Sequence, residues 1–201
     1  MAFTYFFRDM QTLEVIQNVA APVFRGRLRV RIWDAGCAMG PEPYSLAIIL
    51  RENMGAMVFR NLTIRATDVD SCDQFGATIA KAVYPDEQVK RIPEKLLKKY
   101  FEPINGTPPH FRVVEEIRAR VSFSKHNLLS LAPPSSGFDL ILCKNVLLHF
   151  PETARIAVMR MFHSALATGG FLALEQTQKL PEELSHLFRQ VSPDVQIFQK
   201  K

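Results

Sequence analysis

Apolar positions recur with two periods along the chain, and the periods alternate. Met10 to Ala20 carries Leu13, Ile16 and Val19 or Ala20 on one face, the spacing of a helix. Arg29 to Ala35 (RVRIWDA) reads as a strand that ends at glycine. Pro41 to Leu50 is a helix opened by proline, whose missing N–H is harmless in a first turn. Leu62 to Thr67 repeats the strand pattern and runs into the acidic cluster Asp68-Val69-Asp70, after which Ser71 to Val83 is helical. Further on, Phe138 to Cys143 (FDLILC) is a continuous apolar run of the kind a buried parallel strand shows. Pro151 to Ala167 is a helix closed by Gly169-Gly170, Phe171 to Glu175 a strand, Pro181 to Gln190 a helix and Val195 to Phe198 a last short strand. Strands and helices alternating at these lengths predict an α/β fold with a doubly wound, mostly parallel sheet.

The alternation lapses between about Tyr84 and Ser124. Pro93 to Phe101 reads as a short helix and Asn105 to Pro109 as a turn. Phe111 to Val114 and Arg118 to Phe123 have strand character on either side of Glu115-Glu116, which predicts a hairpin. We therefore expect one domain over residues 1–201, with residues 84–124 inserted as a small β-hairpin subdomain.

Composition narrows the classes that remain. The 201 residues include 25 Lys and Arg against 20 Asp and Glu, with 47% hydrophobic content, enough for a sizeable core. No apolar run approaches a membrane span, and the first residues lack the apolar stretch of a signal peptide. Cys37, Cys72 and Cys143 are too scattered for a disulfide framework or a C-x-x-C pair, which suits a reducing cytoplasm. The five histidines show no metal-ligand spacing, so no metal is expected. Basic residues form no stripe interleaved with aromatics, which argues against nucleic acid; the densest stretch, Lys90 to Lys99, is a solvated helix face or a docking patch.

The candidate chemistry lies just beyond the strands. Asp34 to Gly40 lies between a strand and a helix, where glycine permits close backbone approach to a ligand and the helix start offers free N–H groups; a turn needed only for folding would look the same. Asp68, at the end of the second strand, can accept the hydroxyl hydrogens of a ribose or cap the next helix, a task that Asp70 or Ser71 would also serve. Glu42 is favoured by the helix dipole or hydrogen-bonds a ligand in the crevice. Lys144, Asn145 and His149 follow the FDLILC strand and project toward the same crevice. Adjacent strands bearing a glycine turn and a ribose acid point to a nucleoside site.

Six ordered blocks carry a resemblance. Thr4-Tyr5-Phe6-Phe7-Arg8-Asp9, Ile32 to Cys37, Glu42 to Ala47, Ala66 to Asp70, His126 to Leu129 and Cys143 to Phe150 resemble the CheR-type chemotaxis receptor methyltransferases, from about Phe3 to Glu175. The resemblance implies a Rossmann-like class I methyltransferase fold and S-adenosylmethionine as cofactor, with S-adenosylhomocysteine as product. The implied substrate is a glutamate side chain in the cytoplasmic region of a chemoreceptor. It places Thr4 and Arg8 near the cofactor, Gly36 and Glu42 at its methionine end and Asp68 on the ribose. Asn127 and Leu128 would flank the adenine, and Lys144 and Asn145 would close the crevice. The small subdomain is similar to the part of the family that docks the receptor. The family usually carries a helical N-terminal domain before the Thr4 block, and in this sequence only a few residues precede that block. Lys144 and His149 stand where the family usually has arginine and tyrosine.

A glutamate acceptor needs no base, and Arg8 would orient it; an amine or hydroxyl acceptor would need one, and His149 is the candidate. The alternatives are a related methyltransferase with another acceptor and a module that senses the cofactor without turnover.

Overall fold

In the computed structural model, residues 4–201 are described. Seven strands form the main sheet: β1 (Val30–Ala35), β2 (Leu62–Asp68), β6 (Val121–Lys125), β7 (Phe138–Cys143), β8 (Leu166–Leu174), β9 (Phe188–Gln190) and β10 (Ile197–Lys200). Their order is β6-β2-β1-β7-β8-β10-β9. The five strands from β6 to β8 are parallel, while β10 runs antiparallel to both β8 and β9. A second sheet, in the order β3-β5-β4, is antiparallel and comprises β3 (Val83–Pro85), β4 (Phe101–Ile104) and β5 (His110–Val113).

Alternation along each central strand divides the core. Val30 and Ile32 of β1 face the cluster that holds Tyr44, Leu46 and Leu50 of the Pro41–Asn53 helix, whereas Trp33 and Ala35 face Val158 and Phe162 of the Glu152–Ala165 helix. The two faces of a pleated strand thus bury against helices on opposite sides of the sheet. Phe6 joins the small sheet to the first cluster, its ring edge-on to Tyr84 and Phe101 at centroid distances of 4.9 and 5.2 Å.

The structure departs from the sequence reading in several places, and β3 and β4 are strands that the reading did not contain. Phe111 to Val114 and Arg118 to Phe123 form no hairpin: β5 pairs with β3 and β4, a turn of helix (Glu115–Arg118) follows, and β6 adds to the main sheet beside β2. Local alternation marks both as strands but says nothing about partners. Gly169 and Gly170 lie inside β8 rather than after a helix; the pairing with β7 jumps there from Phe138↔Leu166 to Leu140↔Phe171. A Cβ on Gly170 would sit 2.9 Å from the carbonyl oxygens of Ala167 and Phe138, so the bulge needs glycine. The helix after Asp68 is shorter than read, Phe75–Lys81. Pro181 to Gln190 is a 3₁₀ turn (Glu182–Leu187) followed by β9, because pairing with β10 outweighs helical spacing.

Candidate cofactor and acceptor site

After β1 the chain adds β2 and then β6 on one side, and returns to the other side of β1 for β7. A cleft opens at the carboxyl ends of strands at such a reversal. Here it has a volume of about 450 Å³. Ligand pockets typically span roughly 300–1,000 Å³.

The floor is the turn after β1. Gly36 has φ 104°, and a Cβ there would fall 2.2 Å from Val146 Cγ2, so only glycine lets this turn pass beneath the loop after β7. The Gly36 and Cys37 N–H groups donate to the Thr67 carbonyl at 2.7 and 3.1 Å. Asp68 holds the rest of the turn: Oδ2 accepts from Ala38 N–H at 3.0 Å and Oδ1 from Asp70 N–H at 3.3 Å. A carboxylate has about four acceptor positions, so two remain for a ligand. The helix-cap role falls to Asp70, whose carboxylate accepts from the N–H groups of Gln74, Phe75 and Gly76 at 2.9, 3.1 and 3.3 Å. Burial acts against that charge, but the three donors hold the Asp70 carboxyl below the usual range.

Arg8 and Asn145 meet across the crevice, the guanidinium Nη2 donating to Asn145 Oδ1 at 3.2 Å. The Arg8 guanidinium carbon also lies 5.8 Å from the Tyr5 ring centroid, and that of Arg91 lies 5.1 Å from the same ring. Asn145 adopts φ 58°, in the left-handed region, just beyond the end of β7. Thr4, Arg8, Gly36, Glu42, Asp68, Lys144, Asn145 and His149 all line the cavity. His149 ends a short turn, Leu147–His149, and is exposed.

Two sequence candidates lie outside the cavity lining. Asn127 Oδ1 accepts from Leu129 N–H at 2.9 Å and so caps a 3₁₀ turn, while Leu128 is buried in the cluster around Trp33. Lys144 touches the crevice, yet its ammonium points away from it. Nζ pairs with Asp9 and donates to Thr12 Oγ1 at 3.1 Å and to the Leu174 carbonyl at 2.9 Å. Burial opposes the Asp9 charge, but Lys144 and Thr12 hold its carboxyl below the usual range.

Sequence reasoning included Asp34 at the start of the glycine segment but gave its side chain no role. This residue is completely buried beneath the first turn of the Pro41–Asn53 helix and contacts Glu42. The available signal was an acidic residue near the end of the otherwise apolar strand segment IWDA.

A parallel sheet with its order reversed at β1, a glycine turn after β1 and an acid after β2 define a Rossmann-like class I methyltransferase domain. The chain belongs to the CheR methyltransferase family: the family description "CheR methyltransferase, SAM binding domain" matches residues 2–197. It is 31% identical over 185 residues to a chemotaxis protein methyltransferase of Borreliella burgdorferi, covering 88% of this chain and 64% of that protein. It is 31% identical over 209 residues to the chemotaxis protein methyltransferase Cher2 of Pseudomonas putida, covering 98% of this chain and 73% of that one. Against the first of these relatives the chain therefore spans less than two thirds of the full length. Among solved structures, the trans-methyltransferase CalH in complex with SAH aligns at a TM-score of 0.49 and 13% identity, over 79% of this chain and 35% of that one. Among the described residues, no helix is long and apolar enough to cross a membrane.

Proposed function

We propose that the protein transfers the methyl group of S-adenosylmethionine to glutamate side chains in the cytoplasmic region of a chemoreceptor-like protein. The observation that carries this reading is the pairing of Arg8 with Asn145 across a cavity also lined by Gly36, Glu42 and Asp68. The donor set suits the cofactor: Asp68 has free acceptor positions for ribose hydroxyls, and Gly36 allows close approach. Glu42 offers a carboxyl to an ammonium. Thr4, Arg8, Lys144 and Asn145 would complete the walls, with Asn127 and Leu128 on the adenine side. When bound, S-adenosylmethionine supplies a methyl group already activated on a sulfonium.

The protein's own share is alignment. A glutamate acceptor, with a reference pKa of about 4.3, is ionised near neutrality and needs no base. Arg8 is a planar cation able to hold such a carboxylate by paired hydrogen bonds. Fixing the acceptor in line and excluding water is worth roughly 7–11 kcal/mol in favourable cases. The small antiparallel sheet would dock the acceptor protein beside the crevice, and a receptor's cytoplasmic region places the reaction in the cytoplasm.

The test is methyl transfer from labelled S-adenosylmethionine to a chemoreceptor cytoplasmic fragment. An alkali-labile product supports a glutamyl ester. With cofactor saturating, kcat/KM for the acceptor is expected to stay flat from about pH 5.5 to 8.5 and to remain flat in His149→Phe. Arg8→Ala is expected to lose most transfer with unchanged circular dichroism. An alkali-stable product, or a steep profile that disappears in His149→Phe, overturns the carboxylate reading in favour of an amine or hydroxyl acceptor.

A further inference from the structure

Asp34 shares the sheet face of Val30 and Ile32, so it points under the helix that begins at Pro41. Its carboxyl is completely buried, and among the described residues no N–H or O–H donates to either oxygen. A lone buried carboxylate is too costly to keep ionised. The group it reaches is the carboxyl of Glu42, which lines the crevice and remains partly open to it. Two carboxylates are acceptors only, so a hydrogen bond between them requires a proton.

We propose that Asp34 and Glu42 act as one proton-holding unit: Asp34 keeps its proton and donates it in a hydrogen bond to Glu42, while a ligand's cationic amino-acid end displaces Glu42's own proton to solvent. Asp34 is then a positioning residue that acts through Glu42. The inference rests on the cofactor reading above and deepens it, making capture of S-adenosylmethionine or S-adenosylhomocysteine proton-linked.

The surroundings assign the two protons. Burial raises both carboxyls, Glu42 to about 7 and Asp34 well above the carboxylate range. The Asp34 hydrogen bond, Lys144 at the end of β7 and Arg8 from the N-terminal segment pull Glu42 down, whereas Glu175 beyond β8 pushes it up. Glu42 and then Asp68, at the end of β2, raise Asp34. His149 lines the same cavity from the loop after β7. Asp34 has no water-facing surface and Glu42 does, so Glu42 is the group that ionises first.

Calorimetry of S-adenosylhomocysteine binding, run in buffers of different ionisation heat, counts the proton. With Glu42 near 7, about half a proton is expected to leave per ligand at pH 7, and the Kd to fall about fivefold from pH 6 to pH 7. 5′-Methylthioadenosine, which has no amino-acid end, is expected to release none. Glu42→Gln is expected to abolish the release. Asp34→Asn, whose amide still donates to Glu42, is expected to keep the wild-type midpoint, and Asp34→Leu to move it to higher pH. Equal release with methylthioadenosine overturns the proposal, as does release that survives Glu42→Gln but vanishes in His149→Phe. So does a lowered midpoint in Asp34→Asn, the sign of an ionised Asp34. Saturable binding without proton release refutes the pair and spares the cofactor reading; no binding of S-adenosylhomocysteine at any pH refutes both.

Discussion

Two groups of buried charge stand side by side behind the crevice, and they satisfy their hydrogen bonds in different ways. Around Lys144, three donors meet three acceptors: Asp9, Thr12 and the Leu174 carbonyl, with the lysine side chain only 3% exposed. That group ties the N-terminal segment to the ends of β7 and β8. Around Asp34, no donor among the described residues reaches a fully buried carboxyl, and the neighbour is a second acid. The first arrangement is closed and structural. The second is left incomplete in the protein alone, and it borders the surface that a ligand would cover. Buried polar groups that match one another stabilise a fold, whereas a set that lacks a partner is poised to accept one.

The largest effect should come from breaking the closed group. Lys144→Met leaves Asp9 with its Thr12 hydrogen bonds but no cation, which is expected to cost about 3–5 kcal/mol in urea unfolding. Unchanged stability with lost cofactor affinity would show that Lys144 serves the crevice wall alone and not the structural group.

Opposite behaviour is expected of the incomplete group. The Glu42 carboxyl is raised from 4.5 to about 7 by folding, so the native state binds the extra proton across that window. Stability is therefore expected to fall as pH rises through it and to level off above pH 7. Glu42→Gln removes the titration and should gain about 1–3 kcal/mol over the wild type between pH 5 and pH 8. Parallel pH–stability curves for the two proteins would contradict the assignment.

Asp68 separates binding from folding. Asp68→Ala is expected to weaken S-adenosylhomocysteine binding by about 1–3 kcal/mol in calorimetry, through loss of charge-assisted hydrogen bonds to the ribose. An unaltered Kd would leave Asp68 with the turn-holding role alone. The smallest effect belongs to Asn127, which caps a short turn away from the cavity lining. Asn127→Ala should cost about 0.5–1 kcal/mol of stability. A loss of cofactor affinity larger than that would show that its side chain also reaches the ligand.

Much of this was legible from residue order. FDLILC forms β7 over the span read from its apolar run, and the helix opened by Pro41 starts where proline placed it. The glycine turn and Asp68 sit on neighbouring strands, as their positions after two successive strand patterns imply. These features depend on period, on the missing N–H of proline and on the freedom of glycine, all of which are local. The hairpin around Glu115 failed because β6 finds its partner in β2, far away in sequence. The helical reading of Pro181 to Gln190 failed because its last residues pair with β10 just beyond them, a partner that helical spacing within the segment does not show.

The sequence by itself determined the strand–helix alternation, the sheet class and the set of polar residues delivered to one end of the sheet, because each follows from short-range pattern and the handedness of crossovers. Only the tertiary structure decided what those residues do to one another. Lys144 lines the crevice as its place after β7 implies, but that its ammonium is held by Asp9, 135 residues away along the chain, is not written near it in the sequence. Asp34 looked like one polar residue in a strand until the first turn of the next helix placed Glu42 against it. Charge, burial and hydrogen-bond supply are properties of the assembled surroundings, and no run of neighbouring residues contains them.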